Sequence, residues 1–229
     1  MLKKLFFTLL ISNSLFAANN YSYNQINSAT DFIVKKSIND LNCDKILTNE
    51  NYFTTCYDYD LKSSIYAYTK LYKENINSKN IKKRPRFYDD LNLPKKFRTK
   101  YSDYTKTGFD RGHGIVSDSS WDWSLKSQKM TYIMSQIYPQ YPNTNRKSYL
   151  KIEKYERQIT SKLGDLEIFL KVEYPNSPKR IGRSQLAVPK GFYKKLWNKE
   201  KGFSKCFYIP NDNKSYDIRD MNTSCDNIK

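Results

Sequence analysis

The sequence predicts an α+β fold built on an antiparallel or mixed sheet. Two observations carry this prediction. Strand-like segments gather toward both ends of the chain, and the clearest helical period lies between them. The chain has 229 residues, enough for one well-buried core. Hydrophobic residues make up only 38%, but 20 Tyr, 12 Phe and 3 Trp supply the large side chains such a core needs.

Taken in order, the chain opens on an export pattern. Lys3 and Lys4 precede an apolar run, Leu5 to Ile11, and Leu15-Phe16-Ala17-Ala18 offers a cut after Ala17 or Ala18. The residue three before either cut is large rather than small, a departure from the usual pattern. The alternative is a membrane anchor, against which the apolar run falls short of the roughly 20 residues a span requires. The expectation is a signal peptide over 1–17 and one domain over 18–229, with a periplasmic or secreted destination and no stable membrane association. Removing 1–17 takes away two lysines and no acid, lowering the formal charge from +17 to +15.

Between Asn19 and Asp40, Phe32, Ile33, Val34 and Ile38 predict a short helix capped near Ser28. Tyr52 to Tyr59 reads as a strand, as does Ser64 to Tyr72, where Ile65, Ala67, Thr69 and Leu71 alternate with Tyr66, Tyr68, Lys70 and Tyr72. Glu74 to Lys83, rich in Asn and Lys, reads as a loop. In Phe109 to Val116, Gly108, Gly112 and Gly114 point to a close backbone turn. The run after Ser120–Ser127 as far as Ile137 is expected to be helical. The clearest helix is Asn145 to Leu163, with Ile152, Tyr155, Ile159 and Leu163 on one face and Gly164 as its stop. Leu166, Ile168, Leu170 and Val172 then alternate along a strand, and Phe207 to Ile209 adds another.

Cys43 and Cys56 lie far from Cys206 and Cys225, and neither pair has C-x-x-C spacing. In an exported chain this favours disulfides over metal binding. Four cysteines allow three connectivities, of which local pairing is the simplest. The strong positive charge has a plain explanation in a lysine-biased composition. It also draws the chain toward nucleic acid, acidic glycans or anionic membranes.

One histidine, His113, narrows the chemistry. It excludes zinc sites built from two or three imidazoles, yet leaves a single general base whose ordinary pKa lies near 6.5. Asp110 and Arg111 precede it, and a guanidinium suits bidentate phosphate contact. Downstream, Glu153 and Arg157 form an acid-first i,i+4 pair, and Asn145 lies about 80° from Glu153 on a uniform α-helix. The amide oxygen of Asn145 is a reasonable hard ligand for Mg²⁺, which needs few protein ligands. Base, hard-cation ligand and phosphate-binding arginines are the parts that phosphodiester hydrolysis requires.

Asp110-Arg111-Gly112-His113, then Pro139-Gln140, Asn145, Glu153 and Arg157, resemble in order and spacing the DNA/RNA non-specific endonucleases of the ββα-metal type. The resemblance spans about 43–209. It implies a ββα-metal core within a larger sheet flanked by helices, and an Mg²⁺-dependent (Mn²⁺ as substitute), sugar-non-specific endonuclease acting on DNA and RNA. It further implies His113 as general base, Asn145 as metal ligand, Glu153 orienting metal-bound water, and Arg111 and Arg157 on phosphate. Arg84, before Pro85, resembles an upstream arginine near the scissile phosphate. One departure stands out: Gln136 occupies a position where the family usually has Asn, and it receives no role. Two alternatives differ in class. One is a nucleic-acid capture protein on the same fold, favoured only by Gln136. The other is a serine hydrolase pairing His113 with Ser117, Ser119 or Ser120, although no G-x-S-x-G elbow is present.

Overall fold

The computed structural model describes residues 43–50, 52–77, 84–117 and 124–228. The export segment and the helix expected between Asn19 and Asp40 lie outside these. In chain order the strands are β1 (Lys45–Asn49), β2 (Phe53–Asp58), β3 (Ser63–Leu71), β4 (Asp110–His113), β5 (Ile137–Gln140), β6 (Leu166–Glu173), β7 (Arg180–Ile181), β8 (Leu186–Ala187), β9 (Gly191–Asn198), β10 (Phe203–Pro210) and β11 (Asn222–Thr223). The α-helices among the described residues are α1 (Leu125–Met130) and α2 (Leu150–Leu163).

Seven strands form one antiparallel sheet in the order β1-β2-β3-β6-β9-β10-β11. β3 and β6 are direct neighbours, with Tyr66 opposite Lys171 and Leu71 opposite Leu166, although nearly a hundred residues separate them in the chain. A ββα unit lies wholly in that excursion: β4 pairs with β5, and α2 follows.

The alternation read in Leu166–Glu173 holds, but both faces of β6 are buried. Leu166, Ile168 and Leu170 join the main core with Ile115, Tyr138, Tyr149, Ile152, Phe192 and Phe207. Phe169, pointing the other way, joins Cys56, Tyr68, Cys206 and Ile228. The second face is closed by the two disulfides, Cys43–Cys56 and Cys206–Cys225, which pair locally as expected. Each lies at one margin of the sheet, the first tying the approach to β1 onto β2 and the second tying β10 to the residues after β11.

Three expectations are corrected. The run to Ile137 is not one helix: α1 stops at Met130, a short 3₁₀ turn covers Met134–Gln136, and β5 begins at Ile137. Ser124 accepts a hydrogen bond from the Ser127 amide at the start of α1. The stretch holding His113 is a strand rather than a turn, because its glycines provide space instead of a reversal. Neither Gly112 nor Gly114 has positive φ, and each lies where a Cβ would collide with a side chain of β5, Gln140 and Tyr138 respectively. Finally, Asn145 lies in a π-helical turn, Thr144–Tyr149, ahead of α2. Its i→i+5 bonding widens the turn, so the angle computed for a uniform α-helix does not apply.

Strand β9 escaped the sequence reading. Phe192, Lys194, Leu196 and Asn198 all point inward, and the lysine at a core position masks the period. Lys194 is fully buried and pairs with Glu156 of α2 at 2.7 Å.

Candidate active site

The site is assembled where the β4–β5 hairpin meets the start of the α2 segment. Register sets Asp110 opposite Gln140 and His113 opposite Ile137. With no Cβ on Gly112, the Gln140 side chain packs against it and donates from Nε2 to the His113 carbonyl at 3.2 Å. The Gly114 amide donates to the Gln136 carbonyl at 2.9 Å, and the Tyr149 hydroxyl donates to the Gly114 carbonyl at 2.6 Å. Strand, strand and helix are thus bonded to one another around His113.

His113 is buried at 6% exposure. Its ring completes a cluster of three, with centroids 5.6 Å from Phe87 and 5.4 Å from Tyr132, the latter edge-on, and those two rings 5.3 Å from each other. Phe87 is carried there by the segment Arg84–Asp90, which pairs with the chain before β5: the Tyr88 amide donates to Tyr132 and the Met134 amide to Tyr88. The Arg84 guanidinium lies over the Phe87 and Tyr132 rings, at 5.7 and 5.5 Å. Gln136 is fully buried and donates to the Thr131 carbonyl, next to Tyr132. The bond ties the turn ahead of β5 to the end of α1.

Asp110 is the electrostatic hinge of the site. Arg146 grips it through two nitrogens, Nε to Oδ2 and Nη2 to Oδ1, each at 2.8 Å. Asn145 Nδ2 donates to the same Oδ2 at 3.1 Å. Partial burial pushes the Asp110 carboxyl up, but the bonds from Arg146 and Asn145 outweigh it and hold the group below its ordinary value. An ionised carboxylate only accepts, so the nitrogen of Asn145 must face it and the amide oxygen must face away. That oxygen is a hard, neutral donor of the kind Mg²⁺ takes. Among the described residues no cluster of three His, Cys, Asp or Glu could hold a metal by itself, so the residues fit a cation that keeps most of its waters.

Arg111 leaves β4 on the other side. Its guanidinium stacks on the Tyr101 ring at 3.6 Å, and its Nε and Nη2 donate to the Tyr101 carbonyl at 3.3 and 2.8 Å. Arg84, Arg86, Arg111 and Arg146, with Asn145 and Asp110, line an open cleft of about 500 Å³. Glu153 and Arg157 are on α2, the first buried and the second half-buried. Arg157 Nη1 lies 3.5 Å from Ser117 Oγ, four residues beyond His113. Ser119 and Ser120 are outside the described residues.

The sequence profile of the DNA/RNA non-specific endonucleases matches residues 33–229. The chain belongs to this family. Human endonuclease G, a mitochondrial protein, is 26% identical over 160 residues, which cover 66% of this chain and 54% of that one. The mitochondrial nuclease 1 of Schizosaccharomyces pombe is 27% identical over 165 residues, 66% of this chain and 50% of its own. A nuclease of a Nostoc species is 30% identical over 117 residues, 50% and 41% of the two chains. The chain therefore spans about half the length of the curated relatives it matches. In fold, it superposes with a TM-score of 0.74 on a chain from a crystal structure of the EndoG/EndoGI complex, at 18% identity, covering 89% of this chain and 87% of that one. The family's ββα unit is present here as β4, β5 and α2.

Sequence reasoning gave no role to Arg146, Tyr101 or the Glu156–Lys194 pair in the site and its support. Arg146 had a visible signal, adjacency to Asn145. Tyr101 had none, since its place depends on where Arg111 folds.

Proposed function

We propose that this chain is a divalent-cation-dependent endonuclease that takes Mg²⁺, with Mn²⁺ as a substitute, and hydrolyses DNA and RNA without selecting the sugar. The observation that carries this reading is the turned amide of Asn145. Asp110, neutralised by Arg146, fixes its nitrogen and leaves its oxygen for a hard cation beside the hairpin that holds His113.

In this reading Arg111, already held by the Tyr101 carbonyl, and Arg84 bind the substrate phosphate, and Arg157 adds charge from α2. His113, restrained by Phe87 and Tyr132, accepts a proton from the attacking water as its oxygen bonds to phosphorus. The phosphorus–oxygen bond to the leaving nucleoside breaks, and that oxygen takes a proton from solvent. Asn145 would hold the cation, and Glu153 would orient water beside it. When bound, the cation spreads the negative charge that builds on the phosphate oxygens. Phosphate contacts carry no base information, which accounts for sequence indifference.

Export to the periplasm or beyond forms part of the proposal. It is supported by the Lys3-Lys4 and Leu5 to Ile11 pattern and by two disulfides, which persist in oxidising compartments. Gln136, the one residue that favours a capture protein, donates from Nε2 to the Thr131 carbonyl.

The test is incubation of purified protein with plasmid DNA and with RNA, with Mg²⁺ and with chelator. Cleavage of both, lost on chelation, is the expected result; persistence under chelation would refute the metal role. For export, N-terminal sequencing of protein recovered from the envelope should find Ala18 or Asn19 first, and protein held in the cytoplasm with Met1 intact would refute it.

A further inference from the structure

We propose that Tyr101 is a nucleobase-stacking subsite beside the scissile phosphate, so that the protein binds a strand partly through one base turned out onto this ring. The inference rests on the nuclease reading and names how that site engages its substrate.

Four observations meet at this residue. Tyr101 is 49% exposed, and among the tyrosines described only Tyr88 is exposed as well. It stands in the wall of the cleft lined by Arg84, Arg86, Arg111 and Arg146, where a phosphate backbone would be drawn. One face of its ring is already covered by the Arg111 guanidinium at 3.6 Å, and Phe87 lies alongside with ring centroids 6.5 Å apart and planes 27° from parallel. Its backbone is fixed in the 3₁₀ turn Tyr101–Tyr104, where the Lys100 amide donates to buried Asp103 at 2.8 Å and the Asp103 amide returns to Lys100.

The ring is therefore a rigid aromatic plate, backed by a cation and half open to solvent. A base laid on it would make a three-layer stack of base, phenol and guanidinium. Every base has a π-face, so such a subsite tolerates all sequences while requiring that some base be present. It also requires an unstacked base, which a single strand offers more readily than a duplex. The carbonyl that holds Arg111 belongs to the backbone and survives side-chain substitution, so the two roles of Tyr101 can be separated.

The test measures binding in chelator, where no cleavage occurs. Two labelled strands of eight phosphates are titrated by fluorescence anisotropy, oligo-dT and an all-abasic strand of the same length. For the unmodified protein the abasic strand should bind roughly 5- to 100-fold more weakly, the range expected for loss of a base–aromatic stack. Tyr101→Leu should weaken oligo-dT by a similar factor and leave the abasic strand nearly unchanged, bringing the two affinities together. Tyr101→Trp should restore the difference. Equal affinities in the unmodified protein, or a difference that persists in Tyr101→Leu, would overturn the proposal. A loss of affinity for both strands alike would also overturn it, by reducing Tyr101 to a support for Arg111. The nuclease reading fails separately, if Mg²⁺ yields no cleavage while the base-dependent difference stands.

Discussion

Glu156 and Lys194 join the helix of the candidate site to the sheet beneath it, and their removal one at a time and together gives a sharp prediction. The two side chains are 1% and 0% exposed and 2.7 Å apart. At an effective dielectric near 20 their attraction is about 6 kcal/mol, set against the removal of two charges from water. Glu156 Oε2 has no partner among the described residues, so the pair is incompletely satisfied. Burial raises the Glu156 carboxyl above its ordinary value despite the pull of Lys194. Lys194→Met or Glu156→Gln alone leaves a buried charge unmatched and should cost about 3–5 kcal/mol. In a domain of this size that lowers Tm by roughly 6–20 °C. Lys194→Met with Glu156→Leu removes both charges and should come within about 1 kcal/mol of the parent. The deficit of Lys194→Met should depend on pH. A carboxyl raised in the folded state loses no stability below its unfolded value near 4.5 and loses progressively more as pH rises above it. Relative to the parent, the deficit is therefore largest at neutral pH and shrinks toward pH 4.5. Thermal unfolding under non-reducing conditions, at several pH values, measures all of this. Single substitutions that cost under 1 kcal/mol, or a double substitution as damaging as the sum of its parts, would refute the reasoning.

His113→Ala should lower cleavage at least about 10²-fold with little change in Tm beyond that of a buried truncation, as a supercoiled-plasmid assay would show. Asn145→Ala should raise the Mg²⁺ concentration needed for half activity, whereas Asn145→Asp should retain part of the function because a carboxylate also binds Mg²⁺, readable in a cation titration. Gly112→Ala places a methyl group on the Gln140 side chain and should destabilise by about 1–3 kcal/mol while displacing the His113 strand; an unchanged unfolding curve would contradict that packing. Substrate affinity should fall steeply between about 50 and 200 mM salt, since each neutralised phosphate releases counterions; a flat salt series would argue against the arginine cleft as the binding surface.

The strands that read clearly in the sequence are those where a side-chain period is uninterrupted. Leu166–Glu173 shows it in every second residue, and its position at the centre of the sheet follows. β9 has the same period, but Lys194 occupies a core position because Glu156, 38 residues earlier, neutralises it. No local reading can supply that partner. The site divides in the same way. Asp110 to His113 and Asn145 to Arg157 are recognisable as words in the chain, and the hairpin and helix do bring them into one unit. What the words do not contain is the reason for their letters. Gly112 is glycine because Gln140 lies across it, and Asp110 serves the site by turning an amide. The π turn at Thr144–Tyr149 was hidden because its sequence does not distinguish i→i+5 from i→i+4 bonding, and tertiary bonds to Pro210 and Lys214 carbonyls accompany its departure from α geometry.

Because β3 and β6 are hydrogen-bonded neighbours, everything from Tyr72 to Asp165 is a single detour between adjacent strands, and that detour contains Arg84, Arg111, His113, Asn145, Glu153 and Arg157. The candidate site is carried by the detour, and the sheet by the strands on either side of it. Doubling the length of such a detour adds only about 0.6 kcal/mol of closure entropy, so insertions within it are nearly free as long as they leave the hairpin and helix intact. The sheet can thus keep its registers while the cleft above it is lengthened, trimmed or re-lined. Diversity of substrate handling on this scaffold is expected to concentrate in one continuous stretch of chain.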